Sequence, residues 1–375
     1  MRRLVVVMVV AVGAGAAVWA QTQRETSEPS TAPASVSTAV DKGARWLASV
    51  QGADGGWGQD GGEASSARPG ERLESSGNDV ANTAVAALAL LQAGRQYEPQ
   101  VERALAFVLE RIEASPVDGL AITDRQGTQI QRKLGPCIDT FLSSMLLAQI
   151  DGRASTPALN ARVRKALQKT VAKIEKHQQA DGSWNLAGGW APVLGTSMAS
   201  RSLFEAQKKG VVVSATVMAR AESYTTTALS SASPAGRGAG VGMAGGGVAA
   251  SAAPVEAAGV ALYQNAQALE QLSRTAADRV QNAKQISAIQ GQLGDAAFVR
   301  GFGSMGGEEL FSYLPISDSM KRVGGDAWPK WHADITQKIL GVQNADGTWV
   351  GHHCITGRVA MTSAAMLNLT VDRAR

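Results

Sequence analysis

The sequence predicts an all-α protein, an α/α toroid of about six outer/inner helical hairpins. Three observations predict it. A turn element, Gln-x-x-Asp-Gly-x-Trp, occurs three times, as Gln51/Asp54/Trp57, Gln178/Asp181/Trp184 and Gln343/Asp346/Trp349, which marks an internal repeat. Each copy follows a segment with apolar residues at helical spacing and a charged opposite face. Each precedes a segment that is small and apolar nearly all round, the composition of a buried helix. Stacking such pairs in a closed ring buries every helix of the second kind.

In chain order, residues 1–20 come first. Arg2 and Arg3 precede an apolar run from Leu4, and Val18-x-Ala20 follows, the pattern of an export signal. The protein is therefore expected to be exported, to the periplasm or outside the cell. The alternative is an uncleaved anchor, because the run approaches the ~18 residues that span a bilayer. That segment would then be the membrane contact. Residues 21–35, rich in Ser, Thr, Pro and Gln, read as a flexible tether, and residues 36–375 as the repeat domain.

The first hairpin has an outer helix near 36–51, with Val40, Ala44, Leu47 and Val50 on its apolar face, and an inner helix near 79–95. The second spans 98–113 and 137–150, with Val117-Asp118-Gly119 between them as an eroded turn. The third opens at Thr156-Pro157, a cap followed by proline in the first turn. Its outer helix, 157–178, carries Leu159, Val163, Leu167, Val171 and Ile174, and its inner helix covers 193–209. The fourth (211–229, 255–272) and fifth (273–291, 305–321) lack a full turn element. The sixth covers 326–342 and 356–371. Four inner helices share a threonine: Thr83, Thr140, Thr196 and Thr362. Residues 230–254, Gly/Ala/Ser-rich, read as a disordered surface insert. The formal match Gly240-x-Gly242-x-x-Gly245 inside it lacks the strand and helix a nucleotide site needs.

The net charge is +4, of which Arg2 and Arg3 supply two, and no basic run is interleaved with aromatics. That argues against nucleic acid as a partner.

The repeated turn between an outer and an inner helix resembles the QW repeat of the prenyltransferase/squalene-cyclase superfamily, of which the chain reads as a divergent exported bacterial member. The resemblance rests on the three Gln/Trp pairs and covers about 36–209 and 305–371. It implies that the glutamine amide bonds backbone groups at helix ends and that the motif clamps one helix to the next. It also implies what is missing. Squalene-type cyclases use an Asp-x-Asp-Asp acid, and no such string occurs here. They guide cations with aromatic rings, and this chain is 5% aromatic. Zinc-dependent prenyltransferases carry Asp-x-Cys, whereas this chain has Cys137-Ile138-Asp139, the reverse order.

A candidate site remains at the mouth of the ring: Cys137 and Asp139 at the start of the second inner helix, His352, His353 and Cys354 ahead of the sixth, and Arg358 in its first turn. Cys, His and Asp are zinc-ligand types, although the spacing is no standard zinc pattern. The two cysteines of an exported chain also suggest a disulfide, against which stands the separation of the second and sixth hairpins in the ring. Unpaired thiols are the third reading. His177 and His332 are expected on the solvated faces of outer helices. No Gly-x-Ser-x-Gly, His-Glu-x-x-His or P-loop string is present. A glycan-processing groove would draw on Arg201, Tyr313, His353 and Arg358. The leading expectation is a non-catalytic binding or scaffold module of the cell envelope, with a protein, glycan or lipid ligand. The rival is a cyclase- or prenyltransferase-like enzyme with an unrecognised acid or metal at the mouth.

Overall fold

The computed structural model describes residues 34–62, 76–184, 186, 192–232, 258–300, 306–352 and 354–373. These belong to one compact unit, residues 32–375. The expected export signal, most of the tether, His353 and nearly all of the Gly-rich insert lie outside them. Among the described residues the secondary structure is helical throughout, with one isolated bridge between Trp57 and Asp79.

The helices are α1 (Ala34–Ser49), α2 (Val80–Ala93), α3 (Glu98–Ala114), α4 (Gln129–Leu134), α5 (Ile138–Ile150), α6 (Pro157–Lys176), α7 (Pro192–Lys208), α8 (Ala215–Ala232), α9 (Ala258–Leu272), α10 (Ala276–Gln281), α11 (Ala283–Leu293), α12 (Ala296–Val299), α13 (Gly307–Val323), α14 (Ala327–Gly341) and α15 (Arg358–Leu369). The inner layer is α2, α5, α7, α9, α13 and α15. Each packs on the next in that order, and α15 packs on α2, so the layer is a closed ring. The outer layer is α1, α3, α6, α8, α10–α11 and α14. Each outer helix turns back into its inner partner, so all inner helices run the same way and their N-termini meet at one mouth.

The two layers differ as their compositions require. In α2, 12 of 14 residues are buried, most of them alanine, valine or leucine. In α6, 7 of 20 are buried, on a stripe through Val163, Leu167, Val171 and Ile174. Thr156 accepts from the Leu159 N–H ahead of Pro157, as expected for the opening of this helix. The fifth outer helix departs from the expected single rod. It breaks at Asn282 into α10 and α11, and α10 buries none of its residues, so packing does not hold it in line with α11. Helix α4, not expected from the sequence, caps the mouth ahead of α5.

Candidate functional site

The three turn elements repeat one hydrogen-bond scheme. The Gln51 amide donates to Gly55 O (2.8 Å) and to Gln100 O on α3 (2.9 Å). Gln178 does the same with Gly182 O (3.0 Å) and Val217 O on α8 (2.9 Å). Gln343 serves Gly347 O (2.9 Å) and Ala39 O on α1 (2.9 Å). Asp54, Asp181 and Asp346 each accept from the N–H two residues on. Each indole is buried, and its Nε1–H donates back to the outer helix, to Leu47, Ile174 or Ile339 O. Each tryptophan N–H is received by the inner-helix threonine, Thr83, Thr196 or Thr362, which explains why these helices share that residue. The glycine has two reasons to be glycine. At Gly182 φ is +90°, and a Cβ there would sit 2.2 Å from Arg220 O of the next outer helix. The element therefore ties three helices together and is structural.

The eroded second turn uses another device. Gly119 keeps a positive φ, but no tryptophan follows. Lys173, buried on α6, reaches back and donates to Gly119 O (2.7 Å) and Ala121 O (3.2 Å). Lys169 donates to Ile112 O and Ser115 O, both at 2.7 Å. The clamp is reversed here: the next outer helix holds the turn.

At the mouth the central feature is a pair of buried carboxylates, Asp79 and Asp139, at the starts of the neighbouring helices α2 and α5. Asp79 caps α2, accepting from the Asn82 N–H and side-chain amide, both at 2.8 Å. Asp139 accepts from the Ala81 N–H (3.1 Å) and the Gln131 amide of α4 (2.7 Å). Burial pushes Asp79 up to about 6, with Asn82 and the charge of Arg125 opposing. Burial, reinforced by the charge of Asp79, pushes Asp139 up to about 7. Two more latches cross the mouth. The Gln129 Oε1 of α4 accepts from the Thr356 and Gly357 N–H groups ahead of α15 (2.9 and 3.0 Å), and Asp60 accepts from Arg358 N–H (3.0 Å).

The residues expected at the mouth do not form one group. Cys137 lies beside Asp139 and Lys173, and burial pushes its thiol up to about 11. Cys354, at φ 57°, bonds Glu308, and burial with that carboxylate pushes it up to about 12. Both thiols are free, so the disulfide reading is corrected: each cysteine is held in a different hairpin's surroundings. Among the described residues, no three His, Cys, Asp or Glu side chains are placed to hold a metal ion, so those residues do not fit zinc. Arg358 turns away to Asp346 of the third turn element and lies 5.0 Å over the Trp46 ring. His352 is exposed. The residues considered for glycan processing are also dispersed: Arg201 pairs with Asp318, and Tyr313 donates to Val299 O against the outer wall. His177 and His332 are half-buried on the outer layer, His332 within 3.4 Å of Asp372. A cleft of about 550 Å³ lies in the outer wall, between α11–α12 and α14, lined by Leu293, Val299, Trp331 and Ile335.

Sequence reasoning missed Asp79, Gln129, Gln131, Glu308 and Lys173. A signal for the first was present: Asp79 and Asp139 each stand at the start of an inner helix that has no other charge.

The family profile of the squalene-hopene cyclase C-terminal domain matches residues 27–119, which hold the first turn element and the outer helix after it. This agrees with the resemblance carried by the turns. No curated protein matches the chain. Among solved structures, the type II terpene cyclase MstE from Scytonema, in complex with geranylgeranyl dihydroxybenzoate, aligns over 91% of this chain and 97% of its own at 12% identity. Its TM-score is 0.34, too low to bear on fold or function.

Proposed function

We propose that the chain is an exported member of the superfamily its turns resemble, and that it works in the cell envelope as a non-catalytic binding or scaffold module for a protein, glycan or lipid ligand. One observation supports this above others: the polar groups gathered at the mouth are engaged with other groups of the protein. Asp79 and Asp139 receive backbone and amide donors, Gln129 latches α4 to α15, and Arg358 serves a turn element. A reacting acid needs a proton aimed at substrate, whereas these carboxylates are held as acceptors. The test is incubation of the purified protein with squalene and with geranylgeranyl dihydroxybenzoate, followed by mass spectrometry. Unchanged substrates support the module, and a cyclised product overturns it. Export is tested by the N-terminal sequence of the protein recovered from the periplasm or medium.

A second reading has its own observation. Asp79 and Asp139 bring two carboxyl groups together whose affinities for protons lie near neutrality. Such a pair retains a proton that a lone carboxylate would lose, which is what a cyclase-like acid requires. If product forms, Asp139→Asn must abolish it while the helical content stays the same.

A further inference from the structure

Away from the mouth, towards the C-terminal ends of α7, α9 and α13, a second charged cluster is built into the ring. Arg201 of α7 pairs with Asp318 of α13, although α9 stands between those helices in the inner layer. The outer helices occupy the far side of α9, so the pair crosses on the side facing the ring's axis. Arg274 grips Glu270 through two bonds (3.0 and 2.7 Å), and Lys208 grips Glu205 (3.1 and 2.9 Å). With Asp318 taken by Arg201, each carboxylate has its own cation. Arg322 is left over. It donates to Glu270 O (3.4 Å) and Ser273 Oγ (3.2 Å), both neutral acceptors.

The cluster therefore carries one unmatched positive charge, in surroundings buried enough for that to matter. It also holds an unmatched donor. Arg201 is 9% exposed, and its Nη1 is buried without an acceptor. The Phe204 ring lies among the same cations, with Arg274 5.0 Å, Lys208 5.7 Å and Arg322 5.9 Å from its centre. Helix C-termini favour nearby cations, which accounts for Lys208, Arg274 and Arg322 at the ends of their helices. It does not account for Arg201, which sits midway along α7.

We propose that this end of the ring binds a small oxyanion, a carboxylate or a phosphate, between Arg201 and Arg322 beside Phe204. One such group supplies the missing negative charge and the missing acceptor together, and guanidinium forks match the planar or tetrahedral oxygens of these groups. The site lies apart from the mouth and does not depend on the function proposed above.

The experiment is calorimetric titration of the full chain with inorganic phosphate and, separately, with citrate, each against chloride at equal ionic strength. Saturable binding of phosphate alone identifies a phosphate site, and of citrate alone a carboxylate site; either outcome supports the proposal. Arg201→Gln and Arg322→Gln are each expected to weaken that binding by about tenfold or more. Should Arg201→Gln fail to fold, the half-buried Arg322 still carries the mutational arm. No saturable heat with either oxyanion, equal heat with chloride, or an undiminished affinity in Arg322→Gln overturns the site.

Discussion

Gln343 and Ala39, 304 positions apart, share a 2.9 Å hydrogen bond that closes the ring: the amide after the last outer helix holds a carbonyl of the first. The same amide binds Gly347 O within its own turn. Gln343→Ala removes both bonds and leaves their acceptors without this donor. It is expected to destabilise the fold by about 1–3 kcal/mol. Amide exchange in α1 should accelerate more than in α9, which lies three hairpins away around the ring. Equal acceleration in the two helices would show that the bond does not act as a local closure.

Trp349 contributes volume and one directed bond. Trp349→Phe keeps most of the apolar body but leaves Ile339 O without the indole donor, for a loss of about 1–2 kcal/mol. Trp349→Ala also opens a cavity in the joint between α14, α15 and α1, and should lose about 3–5 kcal/mol. Urea titrations of the two variants distinguish the contributions.

Gly182 and Gly119 share a positive φ but differ in surroundings. A Cβ at Gly182 meets Arg220 O at 2.2 Å, whereas one at Gly119 meets nothing within 4 Å. Gly119→Ala should therefore cost about 1–2 kcal/mol, the backbone term alone. Gly182→Ala adds a steric collision with α8 and should lower the thermal midpoint further. Equal losses would mean that close approach to the next outer helix is unimportant.

Lys173→Met tests the reversed clamp. Methionine keeps the buried stem but removes the donor from Gly119 O and Ala121 O. The expected loss is about 1–3 kcal/mol, with protease cutting near residues 117–121 enhanced.

The buried carboxylates set a pH dependence. Asp79 and Asp139 have folded-state affinities raised to about 6 and about 7, from an ordinary carboxyl value of 3.8. A raised value means that the folded chain holds protons more tightly than the unfolded one. Their contribution is complete below the unfolded value and is lost as pH rises through 6 and 7. Unfolding free energy should fall by a few kcal/mol between about pH 4 and about pH 7. Asp139→Asn should flatten that slope. Opposite behaviour is expected in acid: Glu270 and Asp346 are held below the usual carboxylate range, so their contribution is present above that range and disappears as pH falls through their lowered folded-state values.

The ring was legible because its signals are local. Trp57, Trp184 and Trp349 stand at a fixed distance from a glutamine, and the hairpins flanking them show in helical spacing. The mouth was not legible, because its contacts join distant positions. Gln129 meets Thr356 across 227 residues, and no periodicity announces that. Arg358 looked available because it opens an inner helix, but Asp346, twelve residues earlier, already holds it. The break at Asn282 went unseen because α10 and α11 together keep a plausible helical composition and differ in what they bury. Lys173 read as one more charge on a surface helix, and only the absence of a tryptophan after Gly119 gives it an interior task.

The shared direction of the inner helices has an electrostatic consequence. Peptide dipoles add along each helix to about half an elementary charge of either sign at its ends. Helices arranged side by side with like ends together repel, and their positive ends would charge one rim of the ring. Two features relieve this. The outer helices run the other way, so each positive end has a negative end close behind it. Carboxylates, Asp79, Asp139, Glu308 and Glu309, stand in the first turns of three inner helices or immediately before them. The rim's acidic residues thus stand where the dipoles favour negative charge, although burial outweighs that pull and raises the proton affinity of Asp79, Asp139 and Glu308.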